Sequence, residues 1–215
     1  MADGESGVSN LEKSAFWIYG VTAMIMREPM GTLLRHASAA GLGDPQVRVE
    51  ILRVAVVLAF LSRLFLAAGL HFETVYMSTG ASKRYPRRSY PVDFLAGLLQ
   101  LLVGVAASTV VSLHAGHEGE ADLFNILAGA FLLADVLWLA VTAALRFSAV
   151  GEVGRRAARG AGILLVSFVL AVALRAAGAD LVLADEAWLG SMLGLSSVDA
   201  ALLIRNYGDT DGTQV

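Results

Sequence analysis

The sequence predicts an all-α, polytopic membrane helix bundle, and three observations carry that expectation. Of its 215 residues, 56% are apolar and only 16% are charged, where a water-soluble domain carries about 25% charge. Mean hydropathy is +0.65. The apolar residues come in continuous blocks of a length that a bilayer requires, about 20 residues. Continuity without alternation marks helices, not the strands of a membrane barrel. Soluble, disordered and fibrous classes are excluded.

Four blocks are expected to span. They cover residues 51–72, 94–113, 123–145 and 160–178, and together they define a transmembrane domain over 51–178. Residues 1–50 are expected as a tail with a short interfacial or re-entrant helix. The run AFWIYGVTAMIM ends at Met26, and Arg27, Glu28 and Pro29 follow at once; this is short for a span, and proline breaks helices. A fifth span there remains an alternative. Residues 179–204 carry Asp185, Glu186 and Asp199 among a partial apolar stripe, which suits an amphipathic helix lying on the membrane surface. Residues 205–215 are expected as a disordered tail.

Orientation follows from the basic residues in the short loops. Lys83, Arg84, Arg87 and Arg88 follow the first block, and Arg146, Arg155, Arg156 and Arg159 follow the third. The intervening loop HAGHEGEAD, residues 114–122, has neither Lys nor Arg. The basic loops should face the cytoplasm of a multi-pass protein in the cell (inner or plasma) membrane. Four spans would then leave both termini outside.

Depth makes the polar residues comparable. Arg63 and Asp135 each stand thirteenth in blocks running the same way, Gln100 falls at a similar level, and Ser167 is the nearest polar residue of the fourth block. A charge at the centre of a bilayer costs at least ~2.5–3.5 kcal/mol, so an Arg63–Asp135 pair with Gln100 beside it is expected within the bundle. Such a layer fixes helix register, lines an ion or proton pathway, or pairs with a partner chain; the residues leave all three open. His71, Glu73 and Asp93 group at the cytoplasmic ends as an inner vestibule, although Asp93 also suits a helix start, where a carboxylate complements the dipole. His114, His117 and Glu118 form a weak divalent-metal pattern in the external loop, with a solvated turn as the plainer reading.

Zero cysteines remove disulfides and thiolate sites. No hydrolase, phosphate-loop or metalloprotease motif occurs. No cofactor is expected, and a net charge of −3 gives no support to nucleic-acid binding. The functional expectation is an oligomeric channel or ion-pathway protein with a mid-membrane polar layer. A non-catalytic subunit, scaffold or effector whose protein partner reads the basic cytoplasmic loops is the alternative. A metal-dependent membrane enzyme is the least supported class. Lipid and further copies of the chain are the expected partners.

Overall fold

The computed structural model describes residues 4–72, 90–113, 121–144 and 150–211. Among these it is helical, with α1 Gly4–Ala40, α2 Pro45–Phe72, α3 Tyr90–Leu113, α4 Ala121–Ala144, α5 Val150–Ala176 and α6 Leu181–Asp211. Three helices are long and apolar enough to cross a membrane, at Phe94–Ser112 in α3, Leu123–Val141 in α4 and Arg159–Ala176 in α5. They mark a multi-pass membrane protein.

The expectation of four spans is corrected here. Residues 51–72 fall inside α2, which carries Arg48, Glu50, Arg53 and Arg63 along its length. Its apolar side chains serve a different purpose from those of a lipid-facing span. Val56, Val57, Phe60 and Leu61 are buried by neighbouring helices, whereas Leu165, Val166, Phe168 and Val169 of α5 are exposed. One hydropathy signal thus covers two situations, a helix largely enclosed by its neighbours and a helix with an exposed apolar face.

The six helices close into a ring. α1 packs on α2, α2 on α6, α6 on α5, α5 on α4, α4 on α3 and α3 back on α1, while α2 also reaches α3 and α4. Side-chain pairs give the directions. On α2 and α6, Arg48 meets Glu186 and Arg63 meets Asp199, so these helices run parallel. α4 runs with them, because Asn125 bonds Asp185 and Asp135 pairs with Arg63. α1, α3 and α5 run the other way.

Two connections show how the sequence turns the chain. Gly41 and Gly178 adopt φ of 88° and 84°, the left-handed conformation that glycine takes at helix C-termini without a Cβ penalty. Shortly after each comes an aspartate that starts the next helix. Asp44 Oδ1 accepts from the Gln46 amide at 2.7 Å, and Asp180 Oδ1 accepts from the Leu183 amide at 2.7 Å. These N-caps leave few residues between α1 and α2 or between α5 and α6, which forces both pairs into antiparallel hairpins.

Two further expectations change. The N-terminal segment does not stop at Pro29; α1 runs through it to Ala40. Proline has no amide hydrogen, so the carbonyl four residues earlier loses its helical partner. That carbonyl belongs to Ile25, and Ser108 of α3 donates its hydroxyl to it at 3.1 Å. A neighbouring helix thus satisfies the bond that proline removes. Ser108→Ala should therefore lower stability by about 1 kcal/mol by stranding a partly buried acceptor. The same substitution in a Pro29→Ala background, where an amide is restored, should cost much less; thermal unfolding in detergent measures both.

The C-terminal stretch, expected on the membrane surface, is a member of the bundle. Ala184, Leu189, Met192, Ser196 and Asp199 of α6 are all buried, and helical backbone continues to Asp211, where a tail was expected from 205. Its acidic residues argue for a water-facing helix only until their partners are known, and those partners are the arginines of α2 and α5.

Candidate functional site: a buried charge network

Five helices contribute to one network. Arg63 of α2 reaches two carboxylates at once: its Nη2 lies 2.8 Å from Asp135 Oδ2 and its Nε donates to Asp199 Oδ2 at 2.8 Å. Gln100 of α3 donates from Nε2 to the other Asp135 oxygen at 3.2 Å. Arg159 of α5 pairs through Nε with Asp199 Oδ1. Two guanidinium groups and two carboxylates balance in charge, which is the condition for keeping ions out of water. Arg63, Gln100, Asp135 and Asp199 are all buried.

Glycine makes the convergence achievable. A Cβ at Gly160 would lie 3.0 Å from Val136 Cγ2, 3.5 Å from Arg63 Nη2 and 3.7 Å from Asp135 Oδ2. The α5 backbone therefore rests directly on the ion pair. Depth is consistent across elements. Asp135 lies six residues inside the Val141 end of its apolar run and Gln100 six inside the Phe94 end, about 9 Å in each case at 1.5 Å per residue. Asp135 and Gln100 thus stand at one level on the antiparallel helices α4 and α3.

Its atoms are only partly satisfied. Arg63 Nη1, Gln100 Oε1 and the hydroxyls of Ser167 and Ser196 are buried without a hydrogen-bond partner. Asp199 Oδ1 and Arg159 Nε are paired by charge but lack the alignment of a hydrogen bond. Ser167 does not touch the ion pairs. It lies seven residues beyond Gly160 on the same face of α5, about 10 Å along the axis, and is fully buried.

A second charged layer closes the opposite end. His36 Nδ1 lies 2.8 Å from Glu50 Oε2, Arg48 pairs with Glu186 at 2.9 Å, and Asn125 donates to Asp185 at 3.2 Å. Arg53 stands 3.9 Å from Asp185 and 5.8 Å over the Phe124 ring. From Arg53 to Arg63 and from Asn125 to Asp135 is ten residues, about 15 Å. Phe60, Leu61, Ala128, Phe131, Leu132, Leu189 and Met192 fill the interval.

The structure thus brings Arg63, Gln100 and Asp135 together, as their common depth predicts, and places Ser167 apart from them. Asp199 and Arg159 were missed as members of this network. One had been assigned to a surface helix and the other to a basic loop, since hydropathy reads each charge by itself. The signal that would have found them is helical spacing, which puts Asp185, Leu189, Met192, Ser196 and Asp199 on one face of α6. Glu73, His114, His117 and Glu118 lie outside the described residues, as do the side chains of His71 and Asp93. Among the described residues no cluster of His, Asp or Glu has a metal-binding arrangement. No protein-family model, curated protein or solved structure matches this chain.

Proposed function

We propose that this chain is a gated ion-pathway protein of the cell membrane whose route runs through the interior of its own helix bundle. The observation that carries this reading is the incompletely satisfied charge network. An architectural ion pair fixes register best when every buried donor and acceptor is used, because each one left over costs about 1–3 kcal/mol. Here Arg63 and Gln100 within the network, and Ser196 and Ser167 in the interval beyond it, each hold a buried hydrogen-bonding atom without a partner. Intramembrane ionisable groups facing a bundle interior commonly mark ion and proton routes. The aromatic and aliphatic packing between the layers makes the present arrangement a closed one.

Orientation enters the same proposal. The basic segments at 83–88 and 146–159 adjoin the end at which the network lies, which turns that end towards the cytoplasm. With six helices, both described termini fall on that side, unlike the arrangement expected from four spans.

Liposomes carrying the purified full-length chain test the reading under an imposed potassium diffusion potential, with dyes for pH and for monovalent ions. Flux above that of empty vesicles is expected from the parent protein. The Arg63→Leu/Asp135→Leu double variant should fold and lose that flux, with Gln100→Leu showing a milder loss. A parent protein without flux, or a folded double variant with undiminished flux, overturns the proposal.

A further inference from the structure

Helix α1 packs on α2 and α3 through one face and leaves the opposite face uncovered. Thr22, Met26 and Pro29, at spacings of four and three, are buried. At about 100° per residue, the direction midway between Arg27 and Glu28 lies opposite that buried face. Both charges are exposed, and none of the side chains described pairs with either. The positions three and four residues from each, where a helix can supply a partner, hold no opposite charge.

Two ties to α3 fix the level of these charges. Ser108 donates to the Ile25 carbonyl at 3.1 Å, and Thr32 donates to the Ser112 carbonyl at 3.4 Å. Arg27 and Glu28 stand between the ties, and the apolar run of α3 ends at Ser112. Both therefore point outward beside the last turn of a membrane-spanning helix. A long arginine can reach the interface from there, but a shorter carboxylate facing acyl chains is costly until it gains a partner. The rest of this face is apolar or open. Met24 is 74% exposed, and a Cβ at Gly31 would meet nothing within 4 Å. Met24 and Gly31 lie on the line that runs between the two charges, and a glycine there lets a second helix approach closely.

We propose that this face of α1 binds a second copy of the chain, related to the first by a two-fold axis along the membrane normal. Adjacent residues on a helix point about 100° apart, so Arg27 and Glu28 flank the Met24–Gly31 line on opposite sides. A two-fold rotation that brings two such lines together sets the left flank of one helix against the right flank of the other. Arg27 of each protomer then meets the partner's Glu28, which gives two ion pairs at one level, and the two Met24 side chains meet near the axis. Neighbouring charges of opposite sign are self-complementary, as a contact between identical patches requires; a patch of one sign would repel its own copy. The contact lies outside the bundle, leaves the interior charge network untouched and is independent of what that network conducts.

Single-molecule photobleaching of the labelled full-length chain in liposomes tests this, with light scattering in detergent giving the mass. The parent should consist of two chains of 22.6 kDa each. Arg27→Glu sets carboxylate against carboxylate, and Glu28→Arg sets guanidinium against guanidinium. Each should weaken dimerisation by about tenfold or more, because like charges across an interface repel. The exchange Arg27→Glu/Glu28→Arg should restore the dimer, and a mixture of the two single variants should form mixed dimers. The chain has no cysteine, so Met24→Cys should join two copies through a short thiol-reactive cross-linker, whereas Leu165→Cys, exposed on α5, should not. Should a charge variant fail to fold, the two cysteine variants decide. A monomeric parent, its α1 face then covered by lipid or by a different protein, overturns the proposal. So does a dimer that ignores both charge reversals, or one that links through Leu165→Cys and not through Met24→Cys.

Discussion

Arg63→Leu should be the most damaging single substitution in the charged network, lowering stability by about 3–5 kcal/mol, the range for breaking a buried ion pair. Arg63 is the only side chain in the network that holds both carboxylates, at 2.8 Å each. Its loss leaves Asp135 and Asp199 facing one arginine, with a net negative charge inside the bundle. Asp135→Leu leaves the opposite imbalance, but Asp199 remains available to both arginines, so it should cost less. The double substitution removes one charge of each sign and leaves the Arg159–Asp199 pair balanced. It should recover much of the loss, since apolar replacement of a whole buried pair is often close to neutral. Thermal or denaturant unfolding in detergent across the four proteins gives the coupling. Additive single effects would mean that the residues do not meet.

Phe131→Ala should cost a comparable amount, about 3–5 kcal/mol, the range for truncating a buried phenylalanine. Its ring stacks on Phe60 with centroids 4.8 Å apart and planes 10° apart, between the two charged layers. The close approach of α3 at this level depends on Gly104, where an added Cβ would lie 3.1 Å from Leu61 Cδ2 and 3.5 Å from Phe131 Cε2. Gly104→Leu should therefore overpack the contact at about 1–3 kcal/mol. Combined with Phe131→Ala, the same leucine would enter the space left by the ring. The double variant should be more stable than the sum of the single losses implies. If the combination is additive or worse, α3 and α4 do not share this layer.

Gly97, Gly104 and Ser108 stand at spacings of seven and four on α3, a strip of small residues that shows how far helical spacing reaches. Gly104 and Ser108 are both buried, one because a ring and a leucine fill the space above it and the other because Ile25 needs a donor. Gly97 has nothing within 4 Å of an added Cβ. Helical spacing identifies a face but cannot tell where along it the neighbouring helix diverges.

Class, helicity and membrane residence were decided by composition and by block length, because these depend on local properties that every apolar residue reports independently. The meeting of Arg63 with Asp135 was also legible. Equal depth on parallel helices leaves two opposite charges few other partners, and the cost of leaving either alone is high. Tertiary structure alone decided which apolar side chains are enclosed by neighbouring helices and which are left exposed, since α2 and α5 carry similar side chains in different surroundings. It alone carried α1 through Pro29, because the compensating hydroxyl comes from Ser108, 83 residues from the Ile25 carbonyl that it satisfies. It alone made Asp199 an interior residue, because the arginines that neutralise it, Arg63 and Arg159, come from two other helices. Hydropathy sums residues one at a time, whereas the cost of burying a charge is a property of pairs, and a pair exists only once the chain has folded.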